Sequence, residues 1–473
     1  MGRDEAIDEA VRRIARSFSE RELLKIGNRS YENAFRYPES RFDSNDPVVH
    51  VLRDPSGVFT DYAIIPPSYL VFKHGDRYYA KCGMPEKAGL IEFSGGDASE
   101  VMQSAVDSVY TAGGGRVFLR SGTYSLSHGL TVREKTELIG EGKEKTLVEF
   151  LHTGSPCIEF EAEQYHGDIL LSDMTILANP DNTYPIISAN SVVHSRIENV
   201  NLRPTSKYYA GDGIYLEGAS WGPYDFEMRN CRVFWCRKGI SITGAWYQVY
   251  LNRCYLAENT EDGVEVTTTG SDIHFLFCQF INNGTHGLEI SVTDKKCIST
   301  VIGCTATDND KDNFHFVRSG TGFLYVHMSG IRSRVAGSYG VYLYHAWAVI
   351  TDLWEEGAGT AGVRLEYYAD AYIILSYVSS ISRDSTSTIH LDRCNFRSHN
   401  SGVAVFSGDG STTEFKIEHG LVSAPSKYGV TPLTPDAHAD KTISADDTYI
   451  TITFSTAPPS GTDNLKFSWW AEV

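Results

Sequence analysis

The sequence predicts an all-β protein whose central part, residues 93–406, is a parallel β-solenoid, and two repeating patterns carry that prediction. The first is apolar-x-apolar-x-x-apolar-x-apolar, which fits two short strands separated by a bend. Its third apolar position recurs at Met174, Val200, Cys231, Cys254, Cys278, Cys304, Ser329 and Leu353. Short strands that repeat every 23 to 31 residues are typical of stacked coils, in which each coil buries the apolar side of its neighbour.

The second pattern is a short strand preceded by Gly or Asn, in the same register as the first. Its copies begin at Asp212, Lys238, Asp262, His286, Asp312, Tyr339 and Ala361. We expect the Gly or Asn to supply a left-handed backbone position at the corner between strands. Helical repeats are excluded, because the units lack the apolar spacing of 3.6 residues that a helix needs.

The composition restricts the possible partners. With 60 acidic and 42 basic residues, the 473-residue chain has a net charge of -18, which disfavours nucleic acid and anionic lipid as partners. No apolar run approaches the ~18 residues that span a bilayer, so membrane insertion is not expected. The start lacks the apolar segment of a secretory signal peptide. The low number of Gln residues, four, favours a heat-adapted source.

Residues 1–92 lack the repeats and predict an N-terminal module. Ile7, Val11, Ile14 and Phe18 form one apolar stripe on a charged helix. This helix packs either on its own domain or in a bundle between subunits. Residues 69–73 and 77–80 flank a turn and predict a β-hairpin. We expect the module to serve attachment or oligomerisation.

Residues 407–473 predict a C-terminal module. Four short strands at 414–418, 427–431, 449–454 and 464–470, with prolines between them, indicate a small antiparallel sandwich. The module is similar to those that end some phage tail fibres and spikes. That resemblance implies trimerisation, capping of the solenoid or receptor contact.

The start of the repeats resembles a known family. Residues 97–107 predict a short capped helix, and Gly113-Gly114-Gly115, Gly122-Thr123-Tyr124 and residues 138–142 follow it. This series is similar to the opening of the pectate-lyase-like right-handed parallel β-helix superfamily, which includes phage tailspikes and polysaccharide lyases, hydrolases and epimerases. The resemblance implies a right-handed β-helix, a homotrimer, a virion or extracellular location, and a polysaccharide as substrate or receptor.

Four of the nine cysteines occupy one inward position in successive coils: Cys231, Cys254, Cys278 and Cys304. Because a free cysteine packs like a small apolar side chain, we expect a buried, reduced stack. C-x-x-C spacing is absent, which disfavours a zinc ribbon. The sequence therefore predicts neither a metal site nor a cofactor.

Chemistry is expected on the outward side of the Gly-led strand. The outward positions of successive coils are Tyr215, Ser241, Glu265, Glu289, His315, Tyr342 and Arg364. Adjacent coils lie about 4.8 Å apart, so Glu265 and Glu289 become neighbours, and their repulsion predicts that one of them holds a proton. An acid beside a base suits glycoside hydrolysis, with His315 and Arg364 stabilising charge. A carboxylate beside His315 and Arg364 also suits proton abstraction in a lyase. The alternative to a catalytic site is a solvated acidic face.

Aromatic residues are frequent in the loops that leave this strand. The rings predicted to stack on sugars are Trp221, Tyr224, Trp246 and Tyr247, together with Tyr215 and Tyr342 of the strand itself. Packing against the solenoid or a neighbouring subunit is the alternative. Asp225 is a competing acid. A second face ranks lower, because it offers one carboxylate and one histidine: Glu227, Tyr250, His274, Thr300 and Tyr325.

Three further motifs are interpreted as structural. Residues 259–263 and 285–288 resemble fragments of the polygalacturonase signature, but the paired-Asp coil and the Arg-x-Lys of that family are missing. Residues 308–312 resemble a calcium loop that lacks its Gly and Glu, so we interpret them as a solvated turn. Asn283-Gly284-Thr285 is a formal glycosylation sequon that we expect to be unused.

These patterns together predict a tailspike-like polysaccharide depolymerase, either a glycosidase or a lyase, with Glu265 and Glu289 as its acid–base pair. The alternative is a non-catalytic protein of a virion or cell surface that binds a glycan or builds a fibre.

Overall fold

A computed structural model describes residues 51–53, 59–62, 67–84, 87–163, 166–219, 223–395 and 397–473. The chain divides into two units, residues 1–66 and 67–473. In the first unit, β1 (Val51–Arg53) pairs antiparallel with β2 (Phe59–Tyr62). The predicted helix with Ile7 and Phe18 lies outside the described residues. No helix in the described part of the chain is long and apolar enough to cross a membrane.

The second unit begins with the predicted hairpin, β3 (Tyr69–His74) and β4 (Arg77–Cys82), followed by β5 (Ile91–Gly95). Helix α1 (Ala98–Thr111) starts at Asp97, whose carboxylate accepts a hydrogen bond from the Ser99 amide. Strand β3 pairs in parallel with β6 (Gly115–Leu119). The hairpin is therefore hydrogen-bonded to the first coil of the solenoid, although the sequence prediction grouped it with the N-terminal module.

The predicted parallel solenoid is confirmed. Its remaining strands are, in chain order, β7 (Gly122–Leu126), β8 (Leu130–Arg133), β9 (Thr136–Gly140), β10 (Thr146–Phe150), β11 (Ile158–Glu161), β12 (Leu170–Ala178), β13 (Ile187–Asn190), β14 (Ser195–Pro204), β15 (Ile214–Gly218), β16 (Tyr224–Arg229), β17 (Arg232–Phe234), β18 (Ile240–Asn252), β19 (Tyr255–Ala257), β20 (Val264–Leu276), β21 (Gln279–Ile281), β22 (Leu288–Val292), β23 (Lys296–Ile302), β24 (Thr305–Thr307), β25 (Phe314–Arg318), β26 (Phe323–Arg334), β27 (Tyr339–Tyr344), β28 (Trp347–Glu356), β29 (Ala361–Glu366), β30 (Asp370–Ile374), β31 (Ile381–Arg383) and β32 (Thr388–Asp392).

These strands stack in parallel on three sides of the solenoid, which we name sheets A, B and C. Sheet A holds the Gly- or Asn-led strands and the strands that pair in register with them, namely β8, β11, β13, β15, β22, β25, β27, β29, β31 and the first parts of β18 and β20. Sheet B follows it in each coil and includes β16, β23, β30 and β32. Sheet C closes the coil and includes β17, β19, β21 and β24.

Inward side chains form ladders of like residues, as period-2 alternation in stacked strands requires. Val266, Ile290 and Phe316 are fully buried one above another in sheet A. The cysteine stack is confirmed, since the amide of Cys278 donates to the Sγ of Cys304 at 3.3 Å and all four thiols are buried and free. Burial raises the pKa of the Cys231 and Cys278 thiols, so they stay unreactive.

We predict that a thiol reagent will modify about one of the nine cysteines in the native protein. Eight cysteines are buried, and Cys394 is the partly exposed one; thiolate attack needs both access and ionisation. Labelling followed by mass spectrometry checks this, with Cys394→Ser as the control that should show no fast labelling. Rapid labelling of several thiols in that variant would contradict the buried stack.

The sequence alignment of one repeat was wrong by two residues. Register pairs place Ile331, and not Ser329, between Cys304 and Leu353 in the third apolar position. No residue is inserted at Gly330, because Ile302 pairs with Ser329 and Thr305 pairs with Arg332, both 27 residues apart. The error arose because the apolar pattern fits this coil in two frames that differ by two residues.

The corner glycines have a different role from the predicted one. The backbone at Gly239, Gly263 and Gly287 is not left-handed. A Cβ at Gly263 would instead lie 2.5 Å from the carbonyl oxygen of Gly287, and a Cβ at Gly239 would lie 2.4 Å from that of Gly263. Glycine is required because the neighbouring coil passes too close for any side chain.

A ladder of buried amides lies beneath these corners. The Oδ1 of Asn283 accepts from the Nδ2 of Asn259 at 2.9 Å, and the Nδ2 of Asn283 donates to the Oδ1 of Asn309 at 2.9 Å. Asn309 in turn donates to Asn313 at 2.7 Å. Each amide satisfies its neighbours where water cannot reach, so the coils are joined by side chains as well as by backbone.

The C-terminal module consists of two three-stranded antiparallel sheets, in the orders β33-β38-β35 and β34-β37-β36. Its strands are β33 (His399–Gly408), β34 (Glu414–Glu418), β35 (Lys427–Pro432), β36 (Lys441–Ala445), β37 (Tyr449–Phe454) and β38 (Gly461–Glu472). The four predicted strands are present, and β33 and β36 are additional. Because β33 pairs with β38, the module begins near residue 397 and not at residue 407.

Candidate functional site

The outward column of sheet A is aligned as the sequence predicted. Register pairs join Tyr215 to Ser241, Ser241 to Glu265, and Glu265 to Glu289. They continue from Glu289 through His315 and Tyr342 to Arg364. Residues about two dozen positions apart in sequence therefore become neighbours on one face.

A second column, which the sequence analysis did not identify as functional, lies beside the first. It contains the residue that precedes each corner Gly or Asn, and backbone hydrogen bonds align its members one coil after another. Its members are Asp212, Lys238, Asp262, His286, Asp312 and Tyr339. Each precedes a member of the outward column by three residues. We call the paired columns from Asp262 to Tyr342 the histidine face.

His286 is the centre of the histidine face. It is 8% exposed, and its Nδ1 lies 3.1 Å from the Oδ1 of Asp262 and 3.0 Å from the Oε2 of Glu289. Burial alone lowers the pKa of His286, but the hydrogen bonds to the two carboxylates outweigh it and raise the pKa to about 9. A buried imidazolium therefore lies between two carboxylates.

His315 continues the face towards the C-terminus. Its Nδ1 donates to the Oδ2 of Asp312 at 2.6 Å, and the Oδ1 of Asp312 accepts from the backbone amide of Tyr339 at 3.0 Å. The His315 ring stacks between His286, with ring centroids 4.3 Å apart, and Tyr342, at 4.7 Å. Asp312 thereby fixes the ring orientation, and a proton on Nδ1 leaves Nε2 as an acceptor.

The sequence predicts that one of Glu265 and Glu289 holds a proton, and the contacts of Glu289 oppose that role for this residue. The hydrogen bond from His286 lowers the pKa of Glu289, and Glu265 forms an ion pair with Lys238. Each carboxylate has a cation of its own, so the repulsion that would favour a proton is offset. The lowered pKa of Glu289 therefore disfavours Glu289 as the protonated acid of a glycosidase.

Tyr342 and Arg364 form a smaller network at the end of the column. The Tyr342 hydroxyl donates to the Oε2 of Glu366 at 2.8 Å, and burial and that carboxylate raise the pKa of the phenol. The Nε of Arg364 donates to Glu366 at 2.8 Å. Arg364 is therefore neutralised by Glu366, and Tyr342 separates it from His315.

The predicted aromatic subsites are only partly formed. Trp246 is fully buried in the core, so it has no face to offer a sugar, and that prediction is corrected. Tyr224 and Tyr247 are register partners, with Tyr247 43% exposed. Tyr215 accepts a hydrogen bond from Thr243 at 3.2 Å. Trp221 lies outside the described residues.

Asp225 and the residues of the second face are also engaged in contacts with other side chains of the protein. Asp225 pairs with His194 at 2.8 Å. On sheet B, Glu227 is bound by Arg229 at 2.6 Å, and Tyr250 stacks on His274 at 4.8 Å. Thr300 faces His327 there, whereas the sequence analysis assigned Tyr325 to that column.

Burial lowers the pKa of both His274 and His327, so both rings are neutral in the native state. The unfolded chain takes up protons on both as the pH falls through about 6.5, so stability is lost on that side. We predict a smaller fall in melting temperature between about pH 7 and about pH 5 for the double variant His274→Gln/His327→Gln than for the wild type. Parallel curves would contradict the assignment of neutral histidines.

The motifs interpreted as structural contribute three members of the histidine face, namely Asp262, His286 and Asp312. Asp262 and His286 belong to the two fragments that resemble the polygalacturonase signature, and the structure brings their side chains together. Asp308, Asp310 and Lys311 are exposed, as expected of a solvated turn, but Asn309 is 1% exposed and Asp312 is 4% exposed, so the turn also carries two buried polar side chains. Asn283 is 1% exposed, so its sequon cannot accept a glycan in the folded protein.

Two groups on the histidine face have the residue types that bind metal ions. They are His286 with Asp312 and His315, and His286 with Asp262 and Glu289, and within each group the ligand atoms lie within 4.8 Å of one another. The sequence shows that Asp262, His286 and Asp312 each precede an outward residue by three positions. It does not show that their side chains meet, because that depends on how the chain turns at each corner.

Comparisons with known proteins place this geometry in context. The family model described as a right handed beta helix region matches residues 185–348. The A-module of the mannuronan C-5 epimerase AlgE4 of Azotobacter vinelandii is similar in structure, with a TM-score of 0.50 at 17% identity, covering 63% of this chain and 91% of that chain. These matches confirm the right-handed parallel β-helix and the resemblance to proteins of that fold.

Curated relatives match over a short segment. The mannuronan C5-epimerase AlgE2 of A. vinelandii is 29% identical over 98 residues, which cover 18% of this chain and 10% of the epimerase. Alginate lyase 7 of A. vinelandii is 26% identical over 133 residues, which cover 24% of this chain and 16% of the lyase. The chain thus spans less than a fifth of the length of either relative. The Dettilon tailspike protein has a TM-score of 0.43 at 9% identity.

Proposed function

We propose that the histidine face acts on a polysaccharide that contains uronic acid, and that His315 removes the proton from the ring carbon next to the sugar carboxylate. The observation that carries the proposal is the His315–Asp312 contact of 2.6 Å. A histidine held by a carboxylate on one nitrogen is a typical general base at the other.

The neighbouring groups fit the charges that such a reaction develops. His286 is held between Asp262 and Glu289, so a positive ring lies directly against His315. Tyr342 lies on the other side of His315 and keeps its proton, because burial raises the pKa of its phenol. The face therefore places a positive group and a base in adjacent coils, with a neutral phenol in the coil that follows.

Two outcomes share this first step. The C5 proton leaves to the Nε2 of His315, and the electron pair is delocalised into the carboxylate. In a lyase, the C4–O bond then breaks and its oxygen takes a proton. In an epimerase, a proton returns to C5 from the opposite side. The names of the curated relatives, an epimerase of mannuronan and a lyase of alginate, support this class of substrate for the proposal.

The test is incubation of the purified protein with mannuronan, polyguluronate, polygalacturonate and a neutral glucan. We expect absorbance from an unsaturated uronate, or deuterium at C5 after reaction in D2O. New reducing ends without either signal would support a hydrolase, and binding without turnover would support the glycan-binding alternative; both overturn the proposal. The homotrimer and the virion or extracellular location remain predictions, of which sedimentation tests the first.

A further inference from the structure

We propose that the Nε2 of His286, the Oδ2 of Asp312 and the Nδ1 of His315 form a binding site for one divalent transition-metal ion, with zinc as the probe. The proposal uses the residues of the proposed function, but metal binding is measured separately from turnover. His286 belongs to one coil of the solenoid, and Asp312 and His315 belong to the next coil.

The outer hydrogen bonds already orient these ligands. The Nδ1 of His286 is engaged by Asp262 and Glu289, which leaves Nε2 on the side of Asp312. The Oδ1 of Asp312 accepts from the Tyr339 amide, which leaves Oδ2 on the side of the histidines. A carboxylate behind a metal-binding histidine and a donor behind a metal-binding carboxylate are the usual arrangement around protein zinc.

The distances suit a small ion. The Oδ2 of Asp312 lies 3.8 Å from the Nε2 of His286 and 2.6 Å from the Nδ1 of His315. Ligand atoms at 2.0–2.1 Å from a tetrahedral zinc ion are about 3.3 Å apart, which lies between these two values. Binding therefore requires the Nδ1 of His315 to move away from the Oδ2 of Asp312 and the Nε2 of His286 to move towards it, with the fourth position open.

The ligand types set the selectivity. Two imidazole nitrogens and one carboxylate suit Zn²⁺, Co²⁺ and other first-row ions, whereas Ca²⁺ and Mg²⁺ require mostly oxygen ligands. The other group on this face is less suitable, because it offers one nitrogen and the Oδ1 of Asp262 already accepts from Thr285 and from the His286 amide.

A bound ion and the proposed base are mutually exclusive. The metal would take the Nδ1 of His315 away from Asp312, and that contact is what orients the ring for catalysis. Where turnover occurs, we expect zinc to suppress it and a chelator to restore it. If zinc raises turnover instead, the role of His315 as base is wrong while the metal site stands.

The experiment is calorimetry on the full-length, tag-free protein carrying Cys394→Ser, which removes the one cysteine that is not buried. After chelator treatment and exchange, we expect one Zn²⁺ per chain, tetrahedral-type visible bands with Co²⁺, and no binding of Ca²⁺. His315→Gln should weaken zinc binding more than 100-fold. Glu289→Gln, which removes only an orienting contact, should weaken it 10- to 100-fold.

His274→Gln is the matched control, because His274 is also a partly buried ring stacked on a tyrosine, but on sheet B. It should leave zinc affinity unchanged, and circular dichroism checks that each variant is folded. The site is overturned if His315→Gln binds zinc like the wild type, or if Glu289→Gln abolishes binding while His315→Gln retains it. If the protein binds zinc but its zinc-free form turns over none of the glycans, the proposed function is overturned and the metal site stands.

Discussion

Replacing His315 with Gln is expected to lower turnover of the preferred uronate polysaccharide by between about 100- and 10,000-fold, which is the range that a general base contributes. Gln retains a polar group of similar reach, so the stack between His286 and Tyr342 loses its base but little of its packing. The measurement is kcat and KM from initial rates of product absorbance or of C5 deuterium exchange.

The loss should fall on kcat, because His315 acts on the reacting atom and not on the distant sugar units. Asp312→Asn should reduce kcat as well, since the amide cannot hold the Nδ1 proton in the same way. His274→Gln, which removes a similar stacked ring from sheet B, should keep normal rates. Retention of more than a tenth of the wild-type kcat in His315→Gln would exclude this residue as the base.

Replacing Asn283 with Ala is expected to reduce the free energy of unfolding by about 3 kcal/mol, a large loss for one side chain. The variant leaves the backbone amide and the Nδ2 of Asn259 without their shared acceptor, at 3.3 and 2.9 Å, and the Oδ1 of Asn309 keeps only one of its two donors, the backbone amide of residue 283. The side chain also donates to the Leu256 carbonyl at 3.3 Å. Buried polar groups without partners cost more than the hydrogen bond itself is worth.

Urea unfolding followed by circular dichroism measures this loss. Asn201→Ala is the control, because the Asn201 side chain is only partly buried and makes one long contact, to Thr175 at 3.4 Å. It should cost less than about 1 kcal/mol. Equal losses in the two variants would show that the amide ladder contributes no more than an ordinary surface contact.

The sequence was sufficient to predict the column from Glu265 through Glu289 to His315. Period-2 alternation decides which side chains point outward, and the repeat length decides which coil they occupy, so both can be counted along the chain. The same counting failed at Ile331, because the apolar pattern fits that coil in two frames that differ by two residues, and period-2 alternation cannot tell them apart.

The corner column could not be derived in the same way. Whether Asp262 and His286 face each other depends on how the chain turns before each strand, and the strand pattern does not encode that turn. The lowered pKa of Glu289 could not be predicted for a related reason. Its pKa depends on His286, a residue of the corner column, and the sequence argument had considered only the charges of the outward column.

The sequence therefore determined the order of the coils. The repeated apolar positions are buried when equivalent positions of successive coils stack on one another. Which polar groups touch was decided by the tertiary structure alone. Corners pack to within ångströms of the next coil, and hydrogen bonds and ion pairs are sensitive to shifts of that size. The histidine face exists because the corner column and the outward column lie side by side once the chain has folded into stacked coils.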